Sequence, residues 1–280
     1  MTDLLFARDG FPALAARLGE LGTKKVMLIC GPSRRFVDLA ATALAKYAPV
    51  IFDGARVHVP VDTVARAGSE LAATEADTIV AIGGGSAIGL GKALRRGARV
   101  NFAAVPTTYA GSEMTATYGV TQGGTKQTGR DPNVRPDVVL YDPTLTVDMP
   151  IALTTQSMFN ALAHVLSVAS NGIDHDVIEA LRDGLRATED LILNPRALVF
   201  REQAARAASA CASVFDLGSP VSSTGSRTSS VARSISITRR CTRCCCPRSS
   251  RTCAPRRRGR SSRSRRRSIA AISMRICTTC

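Results

Sequence analysis

The sequence predicts an α/β fold with a parallel-sheet domain over residues 1–149, an incomplete all-helical domain over 150–218, and a disordered tail over 219–280. Three observations predict it. Short apolar runs alternate with amphipathic stretches through the first 145 residues, a pattern typical of an open parallel sheet. From Pro150 the chain has helical periodicity without strand alternation. After residue 218, leucine, aromatic residues and acids are missing from the sequence.

The individual elements follow from these runs. Each predicted strand is rich in β-branched residues and ends at glycine, proline or aspartate, as strands entering turns do. The predicted strands cover residues 25–30, 49–52, 77–82 and 100–105, and the helices between them cover 36–47, 64–73 and 87–95. In the second part, helices are predicted at 154–170, 176–192 and 196–214, with breaks at Gly172 and Pro195.

Composition and charge limit the class of protein. The 280 residues are 45% hydrophobic, which is ordinary for a soluble protein, and no apolar run approaches the roughly 18–20 residues of a membrane helix. The net charge is +15, but residues 1–218 carry 21 basic and 22 acidic side chains, while residues 219–280 carry 16 arginines and no acid. Acids near the N-terminus argue against a signal peptide, and the unpaired cysteines favour a cytoplasmic protein.

A strand-to-helix corner carries the clearest chemical signal. Residues 77–82 form a buried strand that enters a predicted helix through Gly83, Gly84, Gly85 and Ser86. Without Cβ atoms the backbone can approach a phosphate, and the first N–H groups of the helix point at it. A tight turn that needs a positive φ is the alternative. Asp53, after the preceding strand, is predicted to accept a bond from a ribose hydroxyl, with an Asp-Gly turn as its alternative.

The next strand ends in a second polar segment. Residues 106–115 read Pro-Thr-Thr-Tyr-Ala-Gly-Ser-Glu-Met-Thr and offer hydroxyl and N–H groups where α/β folds bind ligands. The corner, this segment and three later features occur in an order that resembles the iron-containing alcohol dehydrogenase superfamily, and within it the maleylacetate reductases. Those later features are Lys126, the 137–143 stretch and residues 160–164.

The resemblance implies a Rossmann-like cofactor domain and bound NADH or NADPH. It places the pyrophosphate on Gly83, Gly84, Gly85 and Ser86, and it assigns further cofactor contacts to Thr107, Thr108, Ser112 and Lys126. The implied reaction is reduction of maleylacetate to 3-oxoadipate in the catabolism of aromatic compounds, by a cytoplasmic homodimer. Loss of the later helices of the family predicts that turnover by this polypeptide is impaired.

The implied substrate is a dicarboxylate, so cations should line its pocket. Arg130 is the first candidate, followed by Lys126, and Tyr109 is assigned to the substrate with them; solvated loop charges are the alternative for the two cations. Asn160 and His164 share one face of a predicted helix, and the resemblance assigns His164 to substrate contact or proton donation.

No metal is expected. Asn160 stands where metal-dependent members of the superfamily have an aspartate ligand, and an amide with one imidazole does not hold a divalent ion. His58 and His175 lie outside any motif with ligand spacing. A metal-dependent alcohol dehydrogenase of the same superfamily remains the alternative enzyme.

The tail is interpreted as a shifted reading frame. If one base is lost near codon 219, the Cys244/Cys245 and Cys245/Cys246 boundaries both encode leucine in the original frame, and Cys241/Thr242 encodes histidine or tyrosine. This pattern resembles the histidine-containing C-terminal segment of the family. Taken as printed, the arginine-rich tail could instead bind RNA, or its cysteines zinc, although it lacks interleaved aromatic residues and a second cysteine pair. Resequencing codons 210–250 decides between these interpretations.

Overall fold

Six parallel strands form the central sheet of the molecule, and the computed structural model describes residues 2–169 and 172–218. The sheet strands are β1 (Asp3–Phe6), β2 (Val26–Ile29), β3 (Val50–Phe52), β4 (Thr78–Gly83), β5 (Asn101–Pro106) and β8 (Val138–Tyr141), and a separate pair is β6 (Thr117–Gln122) with β7 (Thr125–Arg130). The helices are α1 (Phe11–Glu20), α2 (Val37–Ala43), α3 (Val61–Thr74), α4 (Gly85–Gly97), α5 (Ile151–Ala169), α6 (His175–Leu193) and α7 (Leu198–Gly218). The interpretations of residues 219–280 lie outside the described residues.

The central sheet is covered on both faces. Its order is β1-β8-β5-β4-β2-β3, and every neighbouring pair is parallel. Strands such as β2 and β8 are buried along their whole length because each of their two faces meets a helical layer. Helices α1 and α2 pack on one face, and α3 to α7 contribute to the core on the other. The predicted fold class, a parallel sheet followed by a helical region, is confirmed.

The helical region shares its core with the sheet. Met158 and Val165 of α5 belong to the same buried cluster as Ile79 and Ala81 of β4. Helix α5 begins at Ile151, directly after Pro150. The division into domains at residues 149 and 150 stays a prediction.

A β-hairpin interrupts the predicted alternation of strands and helices. Strands β6 and β7 pair antiparallel, with Gln122 opposite Thr125, so two residues form the loop. Those residues are Gly123 and Gly124, with φ of +55° and +77°, which glycine adopts without strain. The Gly-Gly pair between Thr- and Val-containing runs is the sequence signal that predicts such a hairpin. Strand β1 and helix α1 also precede the first predicted strand, and the four residues of β1 sit at the edge of the sheet.

The order of the strands defines a crevice. From β2 the chain moves outward to β3, whereas from β4 it moves the other way to β5. The connections therefore diverge between β2 and β4, and open α/β sheets bind ligands outside the carboxyl ends of strands at such a point. The residues after β4 stand at this crevice. Among the described helices, none combines the length and apolar character needed to cross a membrane.

Candidate active site

Gly83, Gly84, Gly85 and Ser86 form the glycine corner that joins β4 to α4. Gly83 has φ of +145°, a conformation that L side chains rarely adopt, so the corner requires glycine there. Gly84 precedes the first helical residue in extended conformation. The N–H groups of Gly85, Ser86 and Ala87 lie in the first turn of α4 and have no carbonyl partner within the helix. The corner thus offers N–H groups and the positive end of a helix dipole to an anion.

The threonine turn, Thr107 and Thr108, lies against this corner. Thr107 donates its N–H to the Gly83 carbonyl at 3.0 Å, which continues the pairing of β4 with β5. A Cβ atom on Gly84 would stand 3.1 Å from both Cγ2 and Oγ1 of Thr108. The structure therefore brings together two groups of residues that the sequence assigns to one cofactor.

Asp53 stands after β3, on the other side of the crevice. Its carboxylate accepts a hydrogen bond from Nη1 of Arg34 at 3.1 Å, and its side chain is 51% exposed. Asp53 therefore lies at the end of a strand, where the sequence analysis expects a ribose contact, and its carboxylate is also paired with the surface residue Arg34.

The residues that follow the threonine turn are packed beneath the helices. Tyr109 is buried, its hydroxyl lies 2.9 Å from Oγ1 of Thr146, and its N–H donates to Oγ of Ser157 at 3.2 Å. Burial raises the pKa of Tyr109. Gly111 has φ of +73°, and a Cβ there would stand 2.5 Å from that of Ala212 in α7. Tyr109, assigned above to the substrate, lies inside the interface between the sheet and α5.

Lys92, on α4, is a buried residue that the sequence analysis does not single out. Its Nζ donates to the Ser112 carbonyl and, at 2.7 and 2.9 Å, to the carbonyls of Thr115 and Thr117, with Oγ1 of Thr115 at 3.0 Å. Burial lowers the pKa of Lys92 to about 7. Glu113 opposes that shift, whereas the charge of Arg135 adds to it. The sequence signal is a lysine on the core-facing side of an amphipathic helix.

Glu113 and Tyr141 form a second buried polar contact that sequence reasoning misses. The Tyr141 hydroxyl donates to Oε1 of Glu113 at 2.8 Å. Burial raises the pKa of both groups, and the Glu113 charge raises that of Tyr141 further. Because Glu113 lies between Ser112 and Thr115, this contact and Lys92 fix the same segment.

Lys126 and Arg130 lie on the same face of the hairpin because they are four residues apart on β7. The Lys126 side chain crosses Gly119, where a Cβ would stand 2.8 Å from its Cε. Arg130 donates from Nη1 to Oδ1 of Asp216 at 2.8 Å. Lys126 is exposed, whereas Arg130, assigned to the substrate, is engaged by an acid of α7.

His164 and Asn160 lie one turn apart on α5. The imidazole packs on the Phe215 ring with centroids 4.6 Å apart, and its Nδ1 is buried without a hydrogen-bond partner in the described part of the chain. Burial first, and then the charge of Lys126, lower the pKa of His164. The structure thus places Lys126 within electrostatic reach of His164. Asn160 is half-buried on the same helix.

The side chains of the described residues offer a metal ion few ligands. Across residues 2–169 and 172–218, no three histidine, cysteine, aspartate or glutamate side chains converge on one point. His58 and His175 are exposed and lie on other segments than α5. An imidazole and an amide on α5 do not fit a divalent ion without further ligands.

The chain is similar to known proteins over most of the described residues. The family model "Iron-containing alcohol dehydrogenase" matches residues 2–143. Maleylacetate reductase 1 of Cupriavidus pinatubonensis is 41% identical over 193 residues, which are 68% of this chain and 54% of the relative. Maleylacetate reductase of Burkholderia cepacia is 37% identical over 218 residues, which are 76% of this chain and 62% of the relative.

A solved structure has the same fold. The crystal structure of maleylacetate reductase from Agrobacterium tumefaciens aligns with a TM-score of 0.72 and 31% identity, over 77% of this chain and 63% of that one. The chain therefore spans between about half and two thirds of the length of these relatives.

Proposed function

The chain belongs to the iron-containing alcohol dehydrogenase family, and we propose that it binds NADH or NADPH and reduces maleylacetate to 3-oxoadipate in the catabolism of aromatic compounds. The observation that carries the proposal is the contact between the glycine corner and the threonine turn at the sheet crevice, in a chain 36–42% identical to curated maleylacetate reductases.

The corner fits a dinucleotide. Its backbone lacks the Cβ atoms that would fill the space, its helix supplies free N–H groups, and it borders the divergence point of the sheet. Thr107, Thr108 and Ser112 add hydroxyl groups, and the Ser112 Oγ is buried without a partner in the described residues. Asp53, at the end of β3, is proposed to accept a hydrogen bond from a ribose hydroxyl. The cofactor supplies the hydride for the carbon–carbon double bond.

The substrate's carboxylates are assigned to the region between the hairpin and α5. Lys126 provides a positive charge there, and His164 supplies an imidazole that is largely neutral at pH 7 because its pKa is lowered. A dicarboxylate beside both groups would offset the charge of Lys126 and so favour the imidazolium, which can then donate a proton. Asn160 can donate an amide hydrogen from the same helix face. Arg130 contributes to the positive potential while bound to Asp216.

No step is assigned to iron, because the donor set of the described residues does not fit it. We propose further that the protein is a cytoplasmic homodimer, on the basis of the family resemblance.

Two measurements on the full 280-residue chain test the proposal. Fluorescence titration of NADH and NADPH measures cofactor binding, and loss of nicotinamide absorbance with added maleylacetate measures turnover. We expect cofactor binding with slow turnover that survives a chelator. Activity on simple alcohols that a chelator abolishes would instead identify a metal-dependent alcohol dehydrogenase. Failure to bind either nucleotide would overturn the proposal.

A further inference from the structure

Lys92 carries a buried amine that is held by uncharged oxygens. It is 1% exposed, and no carboxylate lies within ion-pair distance of its Nζ in the described part of the chain. Four oxygen atoms surround the amine instead, three of them backbone carbonyls of Ser112, Thr115 and Thr117. Burying an ammonium without a counterion is costly, and an apolar side chain of similar volume would fill the space at lower cost. The lysine therefore does more than fill space, because it fixes the positions of the three backbone carbonyl groups that it binds.

That backbone is fixed from three sides. Lys92 binds residues 112, 115 and 117, the Glu113 carboxylate accepts from Tyr141, and the Ala116 N–H donates to Oδ1 of Asp216 at 2.8 Å. Ser112 accepts through its carbonyl, while its buried Oγ has no partner in the described residues. A buried hydroxyl on a rigid backbone is available to a ligand, since its own chain does not satisfy it.

Helix α4 links this segment to the glycine corner. Lys92 stands about two turns after Gly85, the first residue of the helix. The helix thus offers its N-terminal N–H groups to a phosphate at one end and, through Lys92, binds the 3-10 turn Ser112–Met114 that carries Ser112. Displacing the lysine would let Ser112 move relative to the corner.

We propose that Lys92 is a positioning residue of the cofactor site, which holds Ser112 by its carbonyl so that the Ser112 hydroxyl meets the cofactor. The inference rests on the proposed function, because it takes the ligand of the corner to be NADH or NADPH. Lys92 acts through Ser112 and does not touch the cofactor.

A double-mutant cycle on the full chain tests the inference. The variants are Lys92→Met, Lys92→Arg, Ser112→Ala and Lys92→Met/Ser112→Ala, with the exposed Lys24→Met as the matched control. The absence of tryptophan makes the NADH fluorescence titration free of background from that residue. We expect Lys92→Met and Ser112→Ala each to raise the Kd for NADH about tenfold, the double variant to raise it no further, and Lys92→Arg to restore part of the loss.

A second readout separates positioning from loss of stability. In hydrogen exchange, Lys92→Met should increase exchange at amides 112–117 while leaving the amides of β4 protected. Equal NADH affinity in Lys92→Met and the parent chain would overturn the inference. It would also be overturned if the increases in Kd of the two single variants multiplied in the double variant, because a purely structural lysine acts independently of Ser112. If the parent chain binds no nicotinamide nucleotide, the proposed function fails and this inference fails with it. If the parent binds NADH and only the cycle fails, the proposed function stands.

Discussion

Arg130 on the hairpin and Asp216 on α7 form a partly buried ion pair, with Nη1 of the arginine 2.8 Å from Oδ1 of the acid. Asp216 is 2% exposed and also accepts from Arg135 and from the Ala116 N–H. One carboxylate thus ties the last described helix to the base of the hairpin and to the segment that carries Ser112.

Asp216→Asn should lower the free energy of unfolding by about 2–3 kcal/mol, because it leaves two arginines without their counterion. Urea unfolding measures the change. The matched control is Asp148→Asn, whose pair with Arg196 is exposed at 56% and 76% and should contribute less than about 1 kcal/mol. Equal losses in the two variants would contradict the role assigned to Asp216.

Gly84→Ala should weaken NADH binding several-fold with little change in melting temperature. The new Cβ would stand 3.1 Å from Thr108, so the threonine turn must shift by a few tenths of an ångström. Gly97→Ala, at the other end of α4, meets nothing within 4 Å and serves as the control. The fluorescence titration measures the affinity for NADH. An unchanged affinity in Gly84→Ala would mean that the glycine corner does not contact the cofactor.

Local signals explain what the sequence predicts well. The corner follows from a buried strand, three glycines and a helix within about twenty residues, and all of these features are contiguous. The pair between Arg130 and Asp216 joins residues 86 positions apart, so neither hydrophobic periodicity nor a local motif indicates it. The sequence therefore assigns Arg130 to the substrate as a cation in a family motif, whereas in the fold it binds Asp216.

Buried polar residues are the other part that patterns miss. Lys92 occupies a helix position that an apolar residue would normally take, and its oxygen partners come from an irregular segment whose path the sequence does not specify. Glu113 is similar, because a carboxylate within a polar motif gives no sign that Tyr141 covers it.

Stability should rise with pH between 7 and about 9, and Lys92 should cause most of the rise. Its pKa is about 7 in the folded chain against 10.5 for an ordinary lysine, so the unfolded state binds the extra proton in this window. The gain is about 2 kcal/mol. Burial is the main cause of the lowered pKa of Lys92, the charge of Glu113 opposes the shift, and the charge of Arg135 adds to it. Above pH 9 the raised pKa values of Cys211 and Tyr141 reverse the trend.

Urea unfolding under reducing conditions at pH 7, 8 and 9 measures this slope. Lys92→Met should flatten it, and Lys24→Met, at an exposed lysine, should keep it. A slope that persists in Lys92→Met would assign the effect to another group.

Lys126→Met should raise the pKa of His164, because the positive charge of Lys126 disfavours the imidazolium. The imidazole resonance of His164, followed by NMR across pH in the parent chain and in the variant, measures the shift. The effect should shrink at high salt, because Lys126 is exposed and its field is screened. Burial lowers the pKa of His164 independently, so in the variant the pKa should still lie below that of an exposed histidine. An unchanged pKa in Lys126→Met would mean that the hairpin does not bring its charge to α5, and it would remove Lys126 and His164 from a common substrate site.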